Sequence, residues 1–248
     1  MRCECRPRRD PKEQLLAAAR IPARHKDCEF SNFRTISESQ ANAMLFARRF
    51  VEKYPIEKRG LLLVGSTGVG KTHLAVAVAK ELIRQKQVQC LFYDYRELFT
   101  TIRNSFESSA RLTEMDVLDP VLEAEVLVFD ELGALLPTTW KFETINHIIN
   151  IRYNANRTTI FTSNYPDAGS LFTDEENRGH PLGAAQRAMR RETLGDRIGD
   201  TMLSRIHEMC RTIEIEGVDF REEYKSSRNL GGFKLRLKDA RLPKPQDD

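Results

Sequence analysis

Residues Leu61–Ala75 read LLLVGSTGVGKTHLA. Four apolar residues, Leu61 to Val64, run directly into Gly65-Ser66-Thr67-Gly68-Val69-Gly70-Lys71-Thr72, which has the spacing G-x-x-x-x-G-K-[ST]. The apolar run predicts a buried strand, and the pattern after Thr72 predicts a helix. Glycines permit positive φ and let backbone N–H groups approach phosphate oxygens closely. A helix beginning near Gly70 adds its dipole to that anion site. Lys71 is placed to reach β- and γ-phosphates, and the Thr72 hydroxyl to hold Mg²⁺. The expected cradle is therefore Gly65, Ser66, Thr67, Gly68, Val69, Gly70, Lys71, Thr72 and His73, with ATP and Mg²⁺ as cofactors. A plain tight turn would also use glycines, but would not need Lys-Thr between a strand and a helix.

Around this stretch, 248 residues with 40% apolar content suit one α/β domain with appendages. No segment approaches the length of a membrane span, and the start, MRCECRPRRDPKEQ, lacks the apolar core of a secretory signal. Five scattered cysteines, Cys3, Cys5, Cys28, Cys90 and Cys210, point to a reducing cytoplasm rather than a disulfide framework. The net charge of +3 is unevenly placed: residues 1–26 hold eight Lys/Arg against three Asp/Glu, and residues 224–248 hold seven against three. The body between them is acidic. Basic ends fit a nucleic acid or another acidic surface as partner, and they equally fit solvated tails.

Along the chain, a basic lead-in carries a helical patch at Glu13–Arg20. A helix is expected over Ser37–Lys53, ended by Tyr54-Pro55. Strands at Leu61–Val64, Cys90–Tyr93, Val126–Phe129, Thr159–Thr162 and Thr212–Ile215 then alternate with helices at Lys71–Lys86, Arg96–Phe106, Lys141–Tyr153 and Glu192–Met209. A variable helical stretch leads to Glu125, and a charged insert occupies Asp167–Arg191. Short apolar strands alternating with helices imply a parallel sheet covered on both faces.

Val126-Leu127-Val128-Phe129-Asp130-Glu131 completes the nucleotide site. In such sheets ligands sit at the C-terminal ends of strands, which is where the two carboxylates fall. Asp130 is expected to hold the metal with Thr72, and Glu131 to polarise the attacking water. In Thr159–Asn164, TIFTSN, another apolar strand ends in small polar residues, and Asn164 would orient that water if this strand lies beside the first. Arg205, late in the helix after Leu203-Ser204, suits a finger reaching a neighbouring subunit's γ-phosphate, or a surface pair with Glu208.

GSTGVGKTHLA, VFDELG, IFTSN and LGDRIGDTMLSRIHEMCRTIEI, in this order, resemble the DnaC/DnaI-type AAA+ ATPases. These are bacterial replicative helicase loaders, and IstB-like transposition helper ATPases are their relatives. Residues 20–25 and Phe30-Ser31-Asn32-Phe33 also look like the approach segment of that group, so the resemblance covers residues 20–224. It implies a P-loop AAA+ core with sheet order 5-1-4-3-2, helices on both faces and a minimal or absent lid. It also implies Glu131, Lys71, Asn164 and Arg205 as catalytic residues, Arg205 acting in trans. The corresponding domains are a basic lead-in at 1–36, possible seat of partner binding, an ATPase domain at 37–224 and a basic tail at 225–248. The partners implied are the replicative DNA helicase, single-stranded DNA and further copies of the chain in an ATP-dependent oligomer.

Three features depart from that pattern. The family's earlier arginine in the finger helix is Thr201 here. The insert is long and holds Arg187, Arg190 and Arg191, a solvated loop or a contact to DNA or a subunit. Of an N-terminal zinc-binding region only Cys3-Glu4-Cys5 remains, and even Cys28 and His25 would be needed to reach four ligands. For DNA, Thr138, Trp140 and Lys141 place a hydroxyl, the only tryptophan and a cation together in the stretch that faces single strands in the loaders. Trp140 would equally begin the next helix by packing on the core. Arg96, Arg103 and Arg111, with Phe99 and Phe106, form a second candidate. The function expected is an ATP-hydrolysing helicase loader. The alternatives are an IstB-like transposase helper, a small-molecule P-loop kinase and a nucleotide-switched binding module.

Overall fold

A computed structural model describes residues 10–107, 113–167 and 192–221. Strands β1 (Gly60–Gly65), β2 (Cys90–Asp94), β3 (Val126–Asp130), β4 (Thr158–Ser163) and β5 (Cys210–Ile215) form one sheet in the order β2-β3-β4-β1-β5. Every pairing is parallel. This is the 5-1-4-3-2 order of the P-loop AAA+ core, counted from the other edge.

The period-2 geometry of a strand explains why β1 is apolar at every position from Leu61 to Val64. Leu61 and Leu63 enter one core cluster, against helices α2 (Glu38–Lys53) and α3 (Lys71–Lys86). Leu62 and Val64 enter the other, against α4 (Tyr95–Glu107), α5 (Glu114–Glu123), α6 (Thr139–Asn154) and α7 (Leu194–Ile198), together with α8 (Asp200–Met209). The strand is thus buried on both faces, and its only polar exit is at its C-terminal end, where the glycine loop begins.

Helix starts follow local capping. Ser37 and Gln40 form a reciprocal capping box at α2, and the buried Gln40 side chain also donates from Nε2 to the Val69 carbonyl at 3.2 Å. The helix expected over Glu192–Met209 is two helices. Gly199, at φ +88°, separates α7 from α8, and a Cβ there would lie 2.8 Å from the Phe142 ring.

The lead-in helix is α1 (Pro11–Ala18), two residues earlier than its apolar pattern suggested, because Asp10 caps it and Pro11 opens it. The chain beyond α1 packs on the sheet. Ala19 is buried and its carbonyl accepts from Phe92 N at 2.8 Å, so the lead-in runs along the β2 edge. Phe30 is buried in the same core as α3. Residues 10–36 are therefore continuous with the ATPase packing rather than set apart from it. The arginines Arg111, Arg187, Arg190 and Arg191, Cys3 and Cys5, and the lid and tail expectations all fall outside the described residues. No helix among the described residues is long and apolar enough to cross a membrane.

Candidate nucleotide-binding site

The ends of β1, β3 and β4 converge on a cavity of about 380 Å³, in the range of roughly 300–1,000 Å³ usual for small-molecule sites. Its floor is Thr67–His73. Gly68 and Gly70 adopt φ of +79° and +103°, conformations that L side chains rarely take. Gly70 also ends the loop at the start of α3, and a Cβ on it would strike the Phe33 ring at 2.5 Å. Backbone N–H groups at this helix start are free of side-chain caps, as an anion site requires.

Lys71 is 6% exposed and its Nζ donates to the carbonyls of Gly65 at 2.9 Å and Ser66 at 2.7 Å. Burial lowers its pKa to about 8, against the raising influence of Asp130 and Glu131. Asp130 is 1% exposed, and burial pushes its carboxyl above the usual range. Its Oδ1 accepts from Thr72 Oγ1 at 2.8 Å and Thr162 Oγ1 at 2.6 Å. A buried carboxylate whose recorded donors are hydroxyls is suited to a cation, and Thr72 and Asp130 are the oxygen donors expected to hold Mg²⁺. The donor set and the glycine cradle both fit Mg²⁺ with a nucleoside triphosphate.

Glu131 has φ +57°, which turns it out of the strand toward the cavity. Its backbone N donates to Thr162 Oγ1 at 2.9 Å, and its Oε2 lies 3.7 Å from Arg96 Nε. One β4 hydroxyl thus fixes both acidic residues. Asn164 lines the same cavity beside Thr162 and Glu131. Leu132 N bonds Thr162 O at 2.8 Å and Ser163 Oγ bonds Leu132 O at 2.9 Å, so the two loops are stitched together.

His73 lines the cavity and also reaches the lead-in: its Nε2 lies 2.9 Å from Glu29 O and 3.2 Å from Glu29 N. Burial lowers its pKa, which keeps the ring neutral. Arg205 lies half-exposed on α8, with Nη1 3.8 Å from Met202 Sδ, and is not among the residues lining its own chain's cavity. The carboxylate of Glu208 instead accepts from Tyr153 Oη at 2.7 Å. Trp140 is half-buried, edge-on to Phe99 at 5.4 Å between ring centres, and packs against the second core cluster. Thr138 caps α6, accepting from Lys141 N at 3.5 Å, and Lys141 Nζ reaches Leu136 O at 3.4 Å. Among the described residues no group of three or more His, Cys, Asp or Glu is arranged to hold a metal, and Cys28 Sγ is 3.8 Å from His25 Nδ1.

Several lining residues escaped the motifs. Phe33, His25 and Arg24 come from the lead-in, and Phe220 and Arg221 from the segment after β5. Phe220 N bonds Gly68 O at 3.3 Å, which lays that segment on the loop. Thr162 was legible as a hydroxyl at the end of TIFTSN; Arg96 had a signal only as a cation after β2.

A parallel sheet of this order, with a phosphate loop after β1 and Asp-Glu two strands away at the end of β3, defines a P-loop nucleotide-binding domain of the AAA+ type. The chain belongs to the family of IstB-like ATP binding proteins, whose family model matches residues 3–176. It is 30% identical over 141 residues to the replicative helicase loader DnaC of Escherichia coli (strain K12), covering 56% of each chain. It is 30% identical over 185 residues to the phage-like element PBSX protein XkdC of Bacillus subtilis (strain 168), covering 70% of this chain and 67% of that one. A crystal structure of the DnaC helicase loader superposes with a TM-score of 0.63 at 30% identity, covering 79% of this chain and all of that one. The chain spans a little over half the length of the DnaC relatives it matches.

Proposed function

We propose that this chain is a Mg²⁺-dependent AAA+ ATPase that assembles on single-stranded DNA and helps place a replicative helicase. The observation that supports the ATPase reading is the shared hydroxyl of Thr162, which donates to the Asp130 carboxylate and accepts from the backbone N of Glu131 beside the glycine cradle. Lys71 and the Thr67–Lys71 amides bind and orient the phosphates. Thr72 and Asp130 would hold Mg²⁺, which when bound neutralises charge on the β- and γ-oxygens. Glu131 accepts a proton from the attacking water, and Asn164 orients that water. Arg96 holds Glu131 at 3.7 Å, so the carboxylate must leave or share this partner to act as base. Arg205, which does not line its own chain's cavity, serves that of a neighbour.

The helicase reading is supported by the similarity to the DnaC loader over that crystal structure's whole length. Single-stranded DNA would meet the loop between β3 and α6, where Leu136 is 71% exposed and Lys141 lies at the rim. A transposase helper is the second reading, favoured by the IstB-like family match.

The test is capture of the same organism's replicative helicase on immobilised protein, with ATP, without it, and with Glu131→Gln. The Gln variant keeps the shape and removes the base, so ATP should bind while turnover falls by ~10²–10⁴-fold. Nucleotide-dependent helicase capture supports the loader. Capture of a transposase in its place would support the second reading, and near wild-type turnover by Glu131→Gln would remove Glu131 from the mechanism.

A further inference from the structure

Arg197, on α7, is a cation that the nucleotide reading leaves without a task, yet it is only 8% exposed. Its guanidinium joins three stretches of chain. Nε donates to the Gly133 carbonyl at 3.0 Å, two residues past Glu131. Nη2 donates to the hydroxyl of Tyr165, the residue after Asn164, and Cζ lies 4.5 Å from the centre of that ring. Nη1 is 3.5 Å from Glu192 Oε2, just ahead of α7. Gly133 is what lets the loop close on this side chain. Its φ is +84°, and a Cβ there would sit 3.1 Å from Arg197 Cβ and 3.4 Å from the Tyr165 ring.

A buried guanidinium is a poor device for stability alone. Its desolvation offsets much of what its contacts contribute, and apolar side chains commonly replace such groups without loss. What a guanidinium offers is a planar fork whose donors fix several acceptors in one frame. The acceptors fixed here belong to the loops that carry Glu131 and Asn164. The fork itself stands one glycine before α8, the helix of Arg205.

We propose that Arg197 is a positioning residue that locks the Glu131 loop and the Asn164 loop to the finger helix. A change at the γ-phosphate end then reaches Arg205 through α7, and a neighbour's contact on α8 reaches the water-handling groups by the same route. This rests on the reading that Glu131, Asn164 and Arg205 serve ATP hydrolysis.

The experiment uses the full chain with Arg197→Lys and Tyr165→Phe. Lysine keeps the charge but can satisfy only part of the fork. Phenylalanine keeps the ring and the Gly133 bond and removes one acceptor. Three quantities are read: the Kd of a non-hydrolysable ATP analogue with Mg²⁺, kcat and KM for ATP, and amide exchange of residues 200–209 with and without the analogue. For Arg197→Lys, Kd and KM stay within about twofold, while kcat falls roughly tenfold or more, since a misplacement of about 1 Å is enough for that. The analogue slows exchange in α8 of the wild type and no longer does so in Arg197→Lys. Tyr165→Phe lies between them, and carries the test if Arg197→Lys does not fold.

Unchanged kcat, or a loss of affinity matching the loss of melting temperature, would overturn the proposal in favour of a structural role. An unchanged exchange response in the variant would overturn it too, as would a wild type that binds the analogue with no response in α8. If the wild type binds but does not hydrolyse ATP, the hydrolysis reading fails and the exchange response alone decides for or against the link. If the wild type binds no nucleotide, both readings are overturned.

Discussion

The two ends of the nucleotide cavity are built by different means. The phosphate end is Thr67–Thr72 with Glu131, Thr162 and Asn164, backed by Asp130 through its bonds to Thr72 and Thr162, nearly all at the C-terminal ends of three adjacent strands. The other end, which we assign to the base and call the base end, is Phe33, His25 and Arg24 from the lead-in, with Phe220 and Arg221 from the segment after β5. Local backbone geometry makes the first, because a loop of this composition between a strand and a helix has few other ways to run. Long-range contacts make the second. Glu29 accepts from Lys80 Nζ at 2.9 Å and Arg84 Nη2 at 2.7 Å, more than fifty residues away in the chain. Lys80, 5% exposed, also donates to the carbonyls of Lys26 at 2.6 Å and Cys28 at 3.1 Å. Three side chains on one face of α3, His73, Lys80 and Arg84, thus seat the lead-in that walls the base end. The phosphate loop and the base wall are both carried by α3, and they should respond to different substitutions.

The largest effect is expected beyond both ends. Arg205→Ala should leave ATP affinity intact and lower stimulated hydrolysis by ~10³-fold if chemistry limits the rate. Mixing it with Glu131→Gln subunits, whose Arg205 is intact, should partly restore turnover. Absence of rescue at every ratio, with co-assembly verified by light scattering, returns Arg205 to the surface.

At the phosphate end, Lys71→Ala removes the cation of the cradle. Losing a charge-assisted contact costs about 1.5–3 kcal/mol, so affinity measured by titration calorimetry should fall more than tenfold. The loss should be similar for ATP and for inorganic triphosphate. Equal affinity for wild type and variant would reject the phosphate assignment.

At the base end, Glu29→Gln changes a carboxylate that bonds Lys80 and Arg84, neither of which lines the cavity. It should weaken ATP binding by a few-fold through release of residues 26–33, a loss of the size of one hydrogen bond to a charged group, ~1.5 kcal/mol or less. Inorganic triphosphate should bind the variant as it binds the wild type. A matching loss for triphosphate would mean that the two ends are not separable and would break the comparison.

Near pH 8 itself, the smallest effect is a pH dependence, about twofold at the midpoint. Lys71 is held to about 8, chiefly by burial, so in the unliganded protein it is protonated below that pH and neutral above it. A triphosphate beside it favours the protonated form and raises its pKa in the complex. Binding above pH 8 should therefore take up a proton, and affinity should fall by at most about tenfold per pH unit as pH rises through 8. Calorimetry at pH 8.5 in two buffers of different ionisation enthalpy measures the uptake. No uptake with the wild type would place the phosphates away from Lys71.

Much of this protein was legible along the chain. The apolar runs at Leu61, Cys90, Val126 and Thr159 are the strands the sheet uses, since a strand buried on both faces needs continuous apolar sequence. The order of the sheet came from a family resemblance and matches the strands' placement. Lys71, Glu131 and Asn164 stand around one cavity, and Asp130 is bonded to the lining residue Thr72, because each lies at or shortly after a strand end. What the chain's linear order could not state is which distant groups close on these positions. Thr162 bridging two carboxylate residues, Arg96 against Glu131, the break at Gly199 and the lead-in seated by Lys80 and Arg84 all depend on side chains brought together by the crossovers of a parallel sheet. Trp140 shows the same divide: its sequence context left base stacking and core packing open, and its edge-on contact with Phe99 on another helix is visible only in the fold. Short-range motifs encode backbone conformation, which a few neighbouring residues determine. The base wall and the polar links are contacts between segments tens of residues apart, and they exist only once burial of the two core clusters has set those segments side by side.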